Sequence, residues 1–324
     1  MSKTIVVTGA AGFIGRNTVA ELNARGFDNL LLVDNLGTDE KWRNLVGLRF
    51  EDMVSPEQFL ARVEDREAMD VDAIIHLGAC SSTTERDADF LLRNNYRYTR
   101  MLCEWAHIRG AKFIYASSGA TYGDGTQGYS DDDASTLALR PLNMYGYSKH
   151  MFDLWALKHE LFDRIVGLKY FNVFGPYEDH KGDMRSVISK SYRQIGLEGK
   201  VDLFKSYLPE YADGEQMRDF VYVKDAVDVT LWFLEHREVG GLFNCGTGVA
   251  RTWKDLATAV FQAMDVPVHI DYVEMPETLK GKYQYFTEAK MAKLRAAGYA
   301  RPFTSLEDGV RDYIRDYYMK RDTA

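Results

Sequence analysis

The chain has 324 residues, a length that accommodates about two domains of ordinary size. Hydrophobic residues make up 46% of it and charged residues 27%, so the composition is that of a globular protein and excludes disordered, collagen-like and coiled-coil chains. The net charge of -8 argues against a nucleic-acid partner, because binding to phosphate backbones requires a basic surface.

Short β-branched segments alternate with longer helical segments through the first half of the chain. The pattern predicts strands at 4–7, 30–33, 73–77, 112–116 and 165–170, and helices at about 12–25, 87–109 and 145–162. Strands that are apolar throughout are typical of a parallel sheet buried on both faces. The alternation predicts an α/β fold with a doubly wound parallel sheet of the Rossmann type.

The second half of the chain follows a looser pattern. Helices are predicted at 184–197, 225–236, 252–264, 289–297 and 305–319, and strands at 220–223, 243–244 and 268–273, with a polar, turn-prone stretch at 206–216. We expect a second, smaller α+β substrate domain that is interleaved with the first. The predicted Rossmann domain comprises residues 1–171 and about 220–247, and the substrate domain about 172–219 and 248–324.

A glycine-rich turn connects the first predicted strand to the first helix. Gly9, Gly12 and Gly15 have the spacing GxxGxxG in TGAAGFIG. Such glycines permit a tight turn, a close approach of the backbone to a pyrophosphate, and helix packing on the strand. The first turn of the helix then presents unpaired N–H groups to the phosphates. The segment therefore predicts a dinucleotide site.

Asp34 ends the second predicted strand, 19 residues after Gly15. A carboxylate at this place accepts hydrogen bonds from an adenosine ribose and, taken alone, favours NAD because it repels a 2′-phosphate. Lys41, Arg43 and Arg49 follow closely and could reverse that preference. The residues by themselves leave NAD and NADP open.

Tyr145 and Lys149 form a YxxxK pair at the start of a predicted helix, one turn apart on the same face. A free phenol is a weak base at neutral pH, and a neighbouring ammonium lowers its pKa by stabilising the phenolate. Ser118 lies just past the end of the predicted strand 112–116, where ligands collect in parallel sheets. The three residues predict removal of a hydroxyl proton as hydride leaves the same carbon.

These motifs resemble the short-chain dehydrogenase/reductase superfamily, and the chain length resembles its extended, nucleotide-sugar branch. HLGACSS (76–82) resembles the loop beneath the cofactor in that superfamily, and YFNVFGP (170–176) resembles the segment whose asparagine, here Asn172, contacts the sugar nucleotide. RDFVYVKD resembles the segment whose arginine, here Arg218, binds the substrate diphosphate.

Five further strings together resemble the heptose 6-epimerase family within that branch. In chain order they are GACSSTTE (78–85), NNYRYT (94–99), NMYGYSK (143–149), EDHKGDM (178–184) and LKGKYQYFT (279–287). The resemblance covers nearly the whole chain. It implies inversion of C6 in an ADP-linked heptose that serves lipopolysaccharide synthesis, through a 6-keto intermediate. It also implies a second acid/base beside Tyr145, the lysine of HKG, here Lys181.

The resemblance also assigns binding positions. The cofactor positions it implies, beyond the three glycines, are Phe13, Ile14, Asp34, Asn35, Lys41, Leu77, Gly78, Ala79, Cys80, Ser81, Asn94, Lys149 and Val173. The substrate positions it implies are Asn172, Lys181, Asp183, Lys190, Phe204, Arg218 and Tyr283. NADP is the implied cofactor. Some members have a lysine where this chain has Pro56, so NAD remains the alternative.

Two other functions remain open at this stage. A UDP-hexose 4-epimerase shares the glycine turn, Ser118, Tyr145 and Lys149, but has no need of a second acid/base in HKG. A non-enzymatic NADP-binding sensor has no need of the Tyr–Lys pair. In either case the predicted partner is a small molecule.

The remaining features indicate the setting of the protein and not its chemistry. The three cysteines lie far apart, no run of 18 apolar residues occurs, and the histidines lack metal-ligand spacing. We expect a cytoplasmic homo-oligomer that binds no metal and no membrane. The aromatic-rich end YIRDYYMK predicts core packing or a subunit contact, and His180 is expected only to flank Lys181.

Overall fold

A computed structural model of the chain describes residues 3–65, 69–277 and 283–323. Its strands, in chain order, are β1 (Thr4–Thr8), β2 (Leu30–Val33), β3 (Asp52–Val54), β4 (Val71–His76), β5 (Lys112–Ser118), β6 (Ile165–Tyr170), β7 (Asn172–Phe174), β8 (Val201–Phe204), β9 (Met217–Tyr222), β10 (Gly241–Cys245), β11 (Ala250–Thr252) and β12 (Ile270–Val273).

The helices complete the alternation. The α-helices are Phe13–Ala24, Pro56–Glu64, Ala88–Leu91, Tyr98–Arg109, Asp133–Ala138, Met144–Lys158, Val187–Glu198, Val223–Glu235, Trp253–Met264, Ala292–Ala296, Leu306–Arg311 and Lys320–Asp322. Short 3-10 segments occur at Glu40–Leu45, Gly119–Tyr122, Leu161–Asp163 and Asp179–Met184, and π-helical segments at Leu92–Arg97 and Asp312–Met319. No described helix combines the length and apolar character that a membrane crossing requires.

The main sheet has seven strands in the order β10-β6-β5-β4-β1-β2-β3, and each neighbouring pair is parallel. The direction of winding reverses between β1 and β4. Ligands of doubly wound sheets bind at this reversal, at the carboxyl ends of the strands. The predicted fold class is confirmed.

Two hydrophobic cores cover the faces of the main sheet. On one face, Val19 and Val227 bring the helices Phe13–Ala24 and Val223–Glu235 against the sheet. On the other face, the core includes Phe59, Leu102 and Phe152 from three further helices. Residues along β1 alternate between the two cores, so the strand is apolar on both sides, as the sequence pattern predicts.

Two small sheets lie outside the main one. β9 pairs in parallel with β7 and antiparallel with β11, and β12 pairs in parallel with β8. The predicted strand at 220–223 therefore belongs to a small sheet, and the chain rejoins the main sheet through the helix Val223–Glu235 and β10. The division into two domains remains a prediction.

The sequence analysis missed four strands, β3, β7, β8 and β11, and two helices, Asp133–Ala138 and Pro56–Glu64. Three of these strands have only three residues, too few to produce a period-two pattern. The helix Pro56–Glu64 begins at a capping box, in which the Ser55 hydroxyl accepts from the Gln58 N–H and the Gln58 side chain accepts from the Ser55 N–H.

Candidate active site

A cavity of about 530 Å³ opens at the carboxyl ends of the main-sheet strands, at the reversal of winding. Most of the predicted cofactor positions line it, together with the predicted catalytic groups. The predicted residues in its wall are Gly9, Gly12, Phe13, Ile14, Gly15, Asp34, Lys41, Leu77, Gly78, Ala79, Ser81, Ser118, Tyr145, Lys149, Asn172, Val173 and Lys181.

The glycine turn has a shape that excludes side chains. Gly9 has φ +69°, and a Cβ there would lie 2.7 Å from the Gly78 nitrogen. A Cβ on Gly15 would lie 2.0 Å from the Gly9 carbonyl oxygen. Gly12 caps the helix Phe13–Ala24 without any side-chain acceptor, so the N–H groups of the first turn face the cavity wall unpaired by a cap. The turn fits a pyrophosphate, which accepts from such N–H groups.

Asp34 lies in the same cavity wall, next to the glycine turn. Its carboxylate accepts hydrogen bonds from the Ala11 N–H at 2.8 Å and from the Lys41 ammonium at 2.6 Å. Arg43 and Arg49 form ion pairs with exposed acids instead, and neither lines the cavity. Of the three predicted cations, Lys41 is therefore the one that contacts Asp34.

Buried hydroxyls fix the loop that follows β4. His76 is fully buried with Nδ1 2.6 Å from the Thr8 hydroxyl and Nε2 2.9 Å from the Thr99 hydroxyl. Burial lowers the pKa of His76 to about 3, with a further contribution from the charge of Lys149, so the ring is neutral. The Gly78 N–H donates to the Thr8 hydroxyl at 3.0 Å, which ties the loop to β1 beneath the cavity.

An asparagine that the sequence analysis missed holds the next residues of this loop. Asn95 accepts from the Cys80 N–H and donates to the Cys80 carbonyl, both at 2.9 Å, and donates to Ser148 at 3.0 Å. The predicted Asn94 donates to Asn95 at 3.0 Å and does not line the cavity. Asn94 and Asn95 are adjacent in the sequence, and the sequence alone gives no reason to choose one over the other as the residue that contacts this loop.

Tyr145 and Lys149 project from the helix Met144–Lys158 into the cavity. The Asn143 side chain caps this helix by accepting from the Gly146 N–H at 2.8 Å. Burial raises the pKa of Tyr145, and its hydrogen bond with Ser118 opposes that rise. Burial lowers the pKa of Lys149 to about 8, against an opposing contribution from Asp153.

Asp153 and Lys169 form a buried ion pair next to the Tyr145–Lys149 pair. Asp153, one turn beyond Lys149, accepts from the Tyr115 hydroxyl and from the Ser117 hydroxyl, each at 2.7 Å. The Lys169 ammonium lies 3.8 Å from the Asp153 carboxylate, and both side chains are fully buried. The pair anchors the helix to β5 and β6, where Ser117 precedes the predicted catalytic Ser118.

Lys181 reaches the same cavity from a different element, the 3-10 segment Asp179–Met184. Its ammonium lies 5.1 Å from the centre of the Phe13 ring and 3.9 Å from the Glu178 carboxylate. Burial lowers the pKa of Lys181, and Glu178 opposes that change. The neighbouring His180 also lines the cavity and lies 3.1 Å from the Asn44 amide, so it has a structural contact that the sequence analysis did not foresee.

Arg218 and Tyr283 lie together beside the cavity wall. The Arg218 guanidinium is 5.0 Å from the Tyr283 ring centre and 5.7 Å from that of Trp253, which lines the cavity. Arg218 is 6% exposed and donates to the Met217 carbonyl, and within the described ranges it forms no ion pair with a carboxylate. A nearly buried cation without an acidic partner suits an anionic ligand.

The other predicted positions lie away from the cavity wall. Asn35, Asp183 and Lys190 are exposed or partly exposed, and Phe204 ends β8. Residues 279–282 of the LKGKYQYFT string lie outside the described residues. Conversely, Arg185 lines the cavity and was not predicted. The EDHKGDM string ends one residue before it, so extending that segment is the signal that would have found it.

Comparisons with known proteins agree with this geometry. The model of the NAD-dependent epimerase/dehydratase family matches residues 5–246. Over 318 residues the chain is 59% identical to ADP-L-glycero-D-manno-heptose-6-epimerase from Nitratidesulfovibrio vulgaris (strain DP4), an alignment that spans 98% of each chain.

Solved structures of similar proteins have the same fold. The crystal structure of ADP-L-glycero-D-manno-heptose-6-epimerase from Helicobacter pylori is similar with a TM-score of 0.82 at 26% identity, covering 97% of this chain and 96% of that one. UDP-glucose 4-epimerase from Thermus thermophilus, in complex with NAD, is similar with a TM-score of 0.76 at 26% identity, covering 96% and 98%.

Proposed function

The chain belongs to the NAD-dependent epimerase/dehydratase family, and from this premise we propose that it inverts C6 of the heptose in ADP-D-glycero-β-D-manno-heptose to give ADP-L-glycero-β-D-manno-heptose. The enzyme is an isomerase, and its substrate is a nucleotide sugar. The extensive identity to a heptose 6-epimerase supports the substrate, and the described cavity supplies the groups that the chemistry requires.

The observation that carries the proposal is the presence of two proton carriers in one cavity. Tyr145 comes from the helix Met144–Lys158 and Lys181 from the segment Asp179–Met184. During inversion at C6 the reacting oxygen approaches the acid/base groups from two directions. A single acid/base on one helix is poorly placed to reach the oxygen in both orientations. Two carriers on separate elements meet that requirement.

A nicotinamide cofactor fits the wall formed by the glycine turn and the loop after β4. When bound, it would supply the hydride chemistry for oxidation and re-reduction at C6. Gly9, Gly12 and Gly15 would bind the pyrophosphate and Asp34 the adenosine ribose. We propose NADP as the cofactor, because the Lys41 ammonium lies 2.6 Å from Asp34 and could bind a 2′-phosphate on the ribose that Asp34 would hold.

The protons balance between the two carriers. Tyr145, as phenolate, takes the proton of the C6 hydroxyl as that carbon is oxidised. Lys181, as ammonium, gives a proton to the oxygen of the 6-keto sugar as the carbon is reduced. Burial raises the pKa of Tyr145 and so disfavours the phenolate, whereas the hydrogen bond with Ser118 favours it. A positive charge on Lys149, one helical turn away, would favour it further. Before the next turnover Tyr145 gives its proton to solvent and Lys181 takes one up from solvent; the reverse reaction exchanges the two roles.

The substrate end of the site is proposed to contain Arg218. Its guanidinium lies against Tyr283 and Trp253, with one N–H donated to the Met217 carbonyl and its charge unpaired among the described residues. A diphosphate accepts two parallel hydrogen bonds from a guanidinium, which a lysine cannot offer. We propose that Arg218 binds the substrate diphosphate and that Asn172, in the cavity wall, contacts the sugar.

The test is turnover of the heptose nucleotide by the purified protein. Incubation with ADP-D-glycero-β-D-manno-heptose, without added cofactor, should produce a mixture of the two C6 epimers that chromatography or NMR separates. Turnover of UDP-galactose with no turnover of the heptose would instead establish the 4-epimerase alternative. Neither reaction, together with bound nicotinamide nucleotide, would support the sensor alternative.

A further inference from the structure

Glu178 is a buried acid with contacts on two sides, and the chemistry described above does not use it. Its side chain is fully buried. The carboxylate accepts from the Ser186 N–H at 2.6 Å, from the Ser186 hydroxyl, and from the Tyr313 hydroxyl at 3.0 Å. The oxygen that accepts from the Ser186 N–H also lies 3.9 Å from the Lys181 ammonium. The acid therefore connects the proposed second proton carrier to the end of the chain.

The chain end that contacts Glu178 is the tyrosine-rich segment Asp312–Met319. Tyr313 is fully buried, and its hydroxyl lies 2.8 Å from that of Tyr318. Tyr318 donates to Asp179 at 3.0 Å, and its hydroxyl lies 2.7 Å from that of Ser189. The prediction of core packing for this segment is confirmed, and the segment also fixes both acids that precede His180.

The surroundings of Lys181 contain few charges. Within the described ranges, Glu178 is the acid at ion-pair distance from its ammonium, and Phe13 of the first helix presents only a ring. The adjacent His180 interacts with Lys181 and also with Lys41, Asp39 and Asp34. Arg185, Tyr145 and Lys149 line the same cavity. Burial lowers the pKa of Lys181 and raises that of Glu178, and each charge opposes the shift of the other. Without Glu178, the buried amine would lose its proton more easily.

We propose that Glu178 is the positioning residue of Lys181: it keeps the ammonium protonated at the cavity wall, and the Tyr313 hydroxyl holds the carboxylate in that place. The role of the ammonium as proton donor rests on the proposed function. Glu178 itself neither gains nor loses a proton in the reaction. Lys181 delivers its proton to the keto oxygen and afterwards takes up a proton from solvent, and the neighbouring carboxylate charge favours that uptake.

The direct test is the pH dependence of Lys181 acetylation in the whole protein. Acetic anhydride reacts with the neutral amine, so the extent of labelling, read by peptide mass spectrometry between about pH 6 and 10, reports the pKa of Lys181. In Glu178→Gln the labelling curve should move to lower pH by about one unit, which is about tenfold more label at a fixed pH on the acidic side. The alkaline limb of kcat should move in the same direction.

A milder pair of variants provides the matched comparison. Tyr313→Phe removes one donor from Glu178 and should move the labelling curve the same way by a smaller amount, because a buried carboxylate with fewer donors takes up a proton more readily and then no longer stabilises the ammonium. Tyr192→Phe removes a hydroxyl from the same aromatic cluster, where it donates to the exposed Asp322 at 2.6 Å, and should leave the curve unchanged.

The outcomes separate this inference from the proposed function. A folded Glu178→Gln protein with the wild-type labelling curve overturns the inference. If that variant does not fold, equal curves for Tyr313→Phe and Tyr192→Phe overturn it. Failure of the wild-type protein to convert the heptose nucleotide overturns the proposed function instead, and the labelling curves then still decide whether Glu178 controls Lys181.

Discussion

Replacing Lys149 by methionine should make the folded chain more stable at neutral pH while it abolishes turnover. Lys149 is 4% exposed, and no hydrogen bond from its ammonium to another described residue is present. Methionine fills a similar volume without a charge. The charge proposed to take part in catalysis is thus held in a place where the fold would be more stable without it.

The magnitude follows from the pKa of the buried amine. Lowering that pKa from 10.5 to about 8 costs the charged folded state about 3 kcal/mol of unfolding free energy. The variant does not recover the whole of this cost, because it loses the attraction between Lys149 and Asp153. Among the described residues, Asp153 then has Lys169 as its remaining cation at ion-pair distance. We expect a net stabilisation of about 1 to 3 kcal/mol near pH 7.

The pH dependence gives the prediction its sign. Below pH 8 the lysine is charged in both the folded and the unfolded chain, so the full cost is present. As the pH rises from about 8 to 10.5, the unfolded chain keeps the proton longer than the folded one, and the wild type gains stability relative to the variant. The difference between the two proteins should therefore shrink across this window.

The assay is urea unfolding of both proteins, freed of bound nucleotide because a ligand adds its own stabilisation. Lys158→Met, at the exposed end of the same helix, is the control and should change the free energy of unfolding by less than about 0.5 kcal/mol. A Lys149→Met protein that is less stable than wild type at pH 7, or a difference that grows between pH 8 and 10.5, would refute the reasoning.

Three further substitutions test the proposed site. Tyr145→Phe should lower kcat by about a thousandfold or more while the bound nicotinamide nucleotide is retained in the purified protein, and near-normal turnover would remove Tyr145 from the mechanism. Lys181→Met should lower kcat to a similar degree, whereas a change confined to KM would reduce Lys181 to a binding residue. Arg218→Gln should raise KM for the nucleotide sugar by about tenfold or more with nucleotide content unchanged, because its guanidinium is the buried cation proposed for the diphosphate; an unchanged KM would contradict that assignment.

The sequence predicted that the residues proposed for the nucleotide lie close together, and they line one cavity, because the constraints on them are local. Gly9, Gly12 and Gly15 are required by one turn, and Asp34 follows at the end of the next strand. Tyr145 and Lys149 belong to one helix, so their proximity follows from its period alone.

The other half of the site depends on contacts between distant segments, and the sequence could indicate it only through resemblance. Nothing in the neighbourhood of Glu178 in the sequence points to Tyr313, which is 135 residues away. Asn95 and Asn94 are chemically identical neighbours, and only the packing of the helix against the loop at Cys80 selects Asn95. The short strands of the small sheets likewise form through pairing with remote partners.

The helix Met144–Lys158 carries Tyr145, Lys149 and Asp153 at successive intervals of four residues. Such a helix moves as a rigid rod, so thermal motion shifts these three groups together and leaves their mutual spacing almost constant. The gap between Tyr145 and Lys181 has no such protection, because it is measured between two separately anchored bodies. Relative motion of the two elements would therefore change the space between Tyr145 and Lys181 that the proposed sugar needs in order to reorient, while the spacing of Tyr145 and Lys149 is preserved.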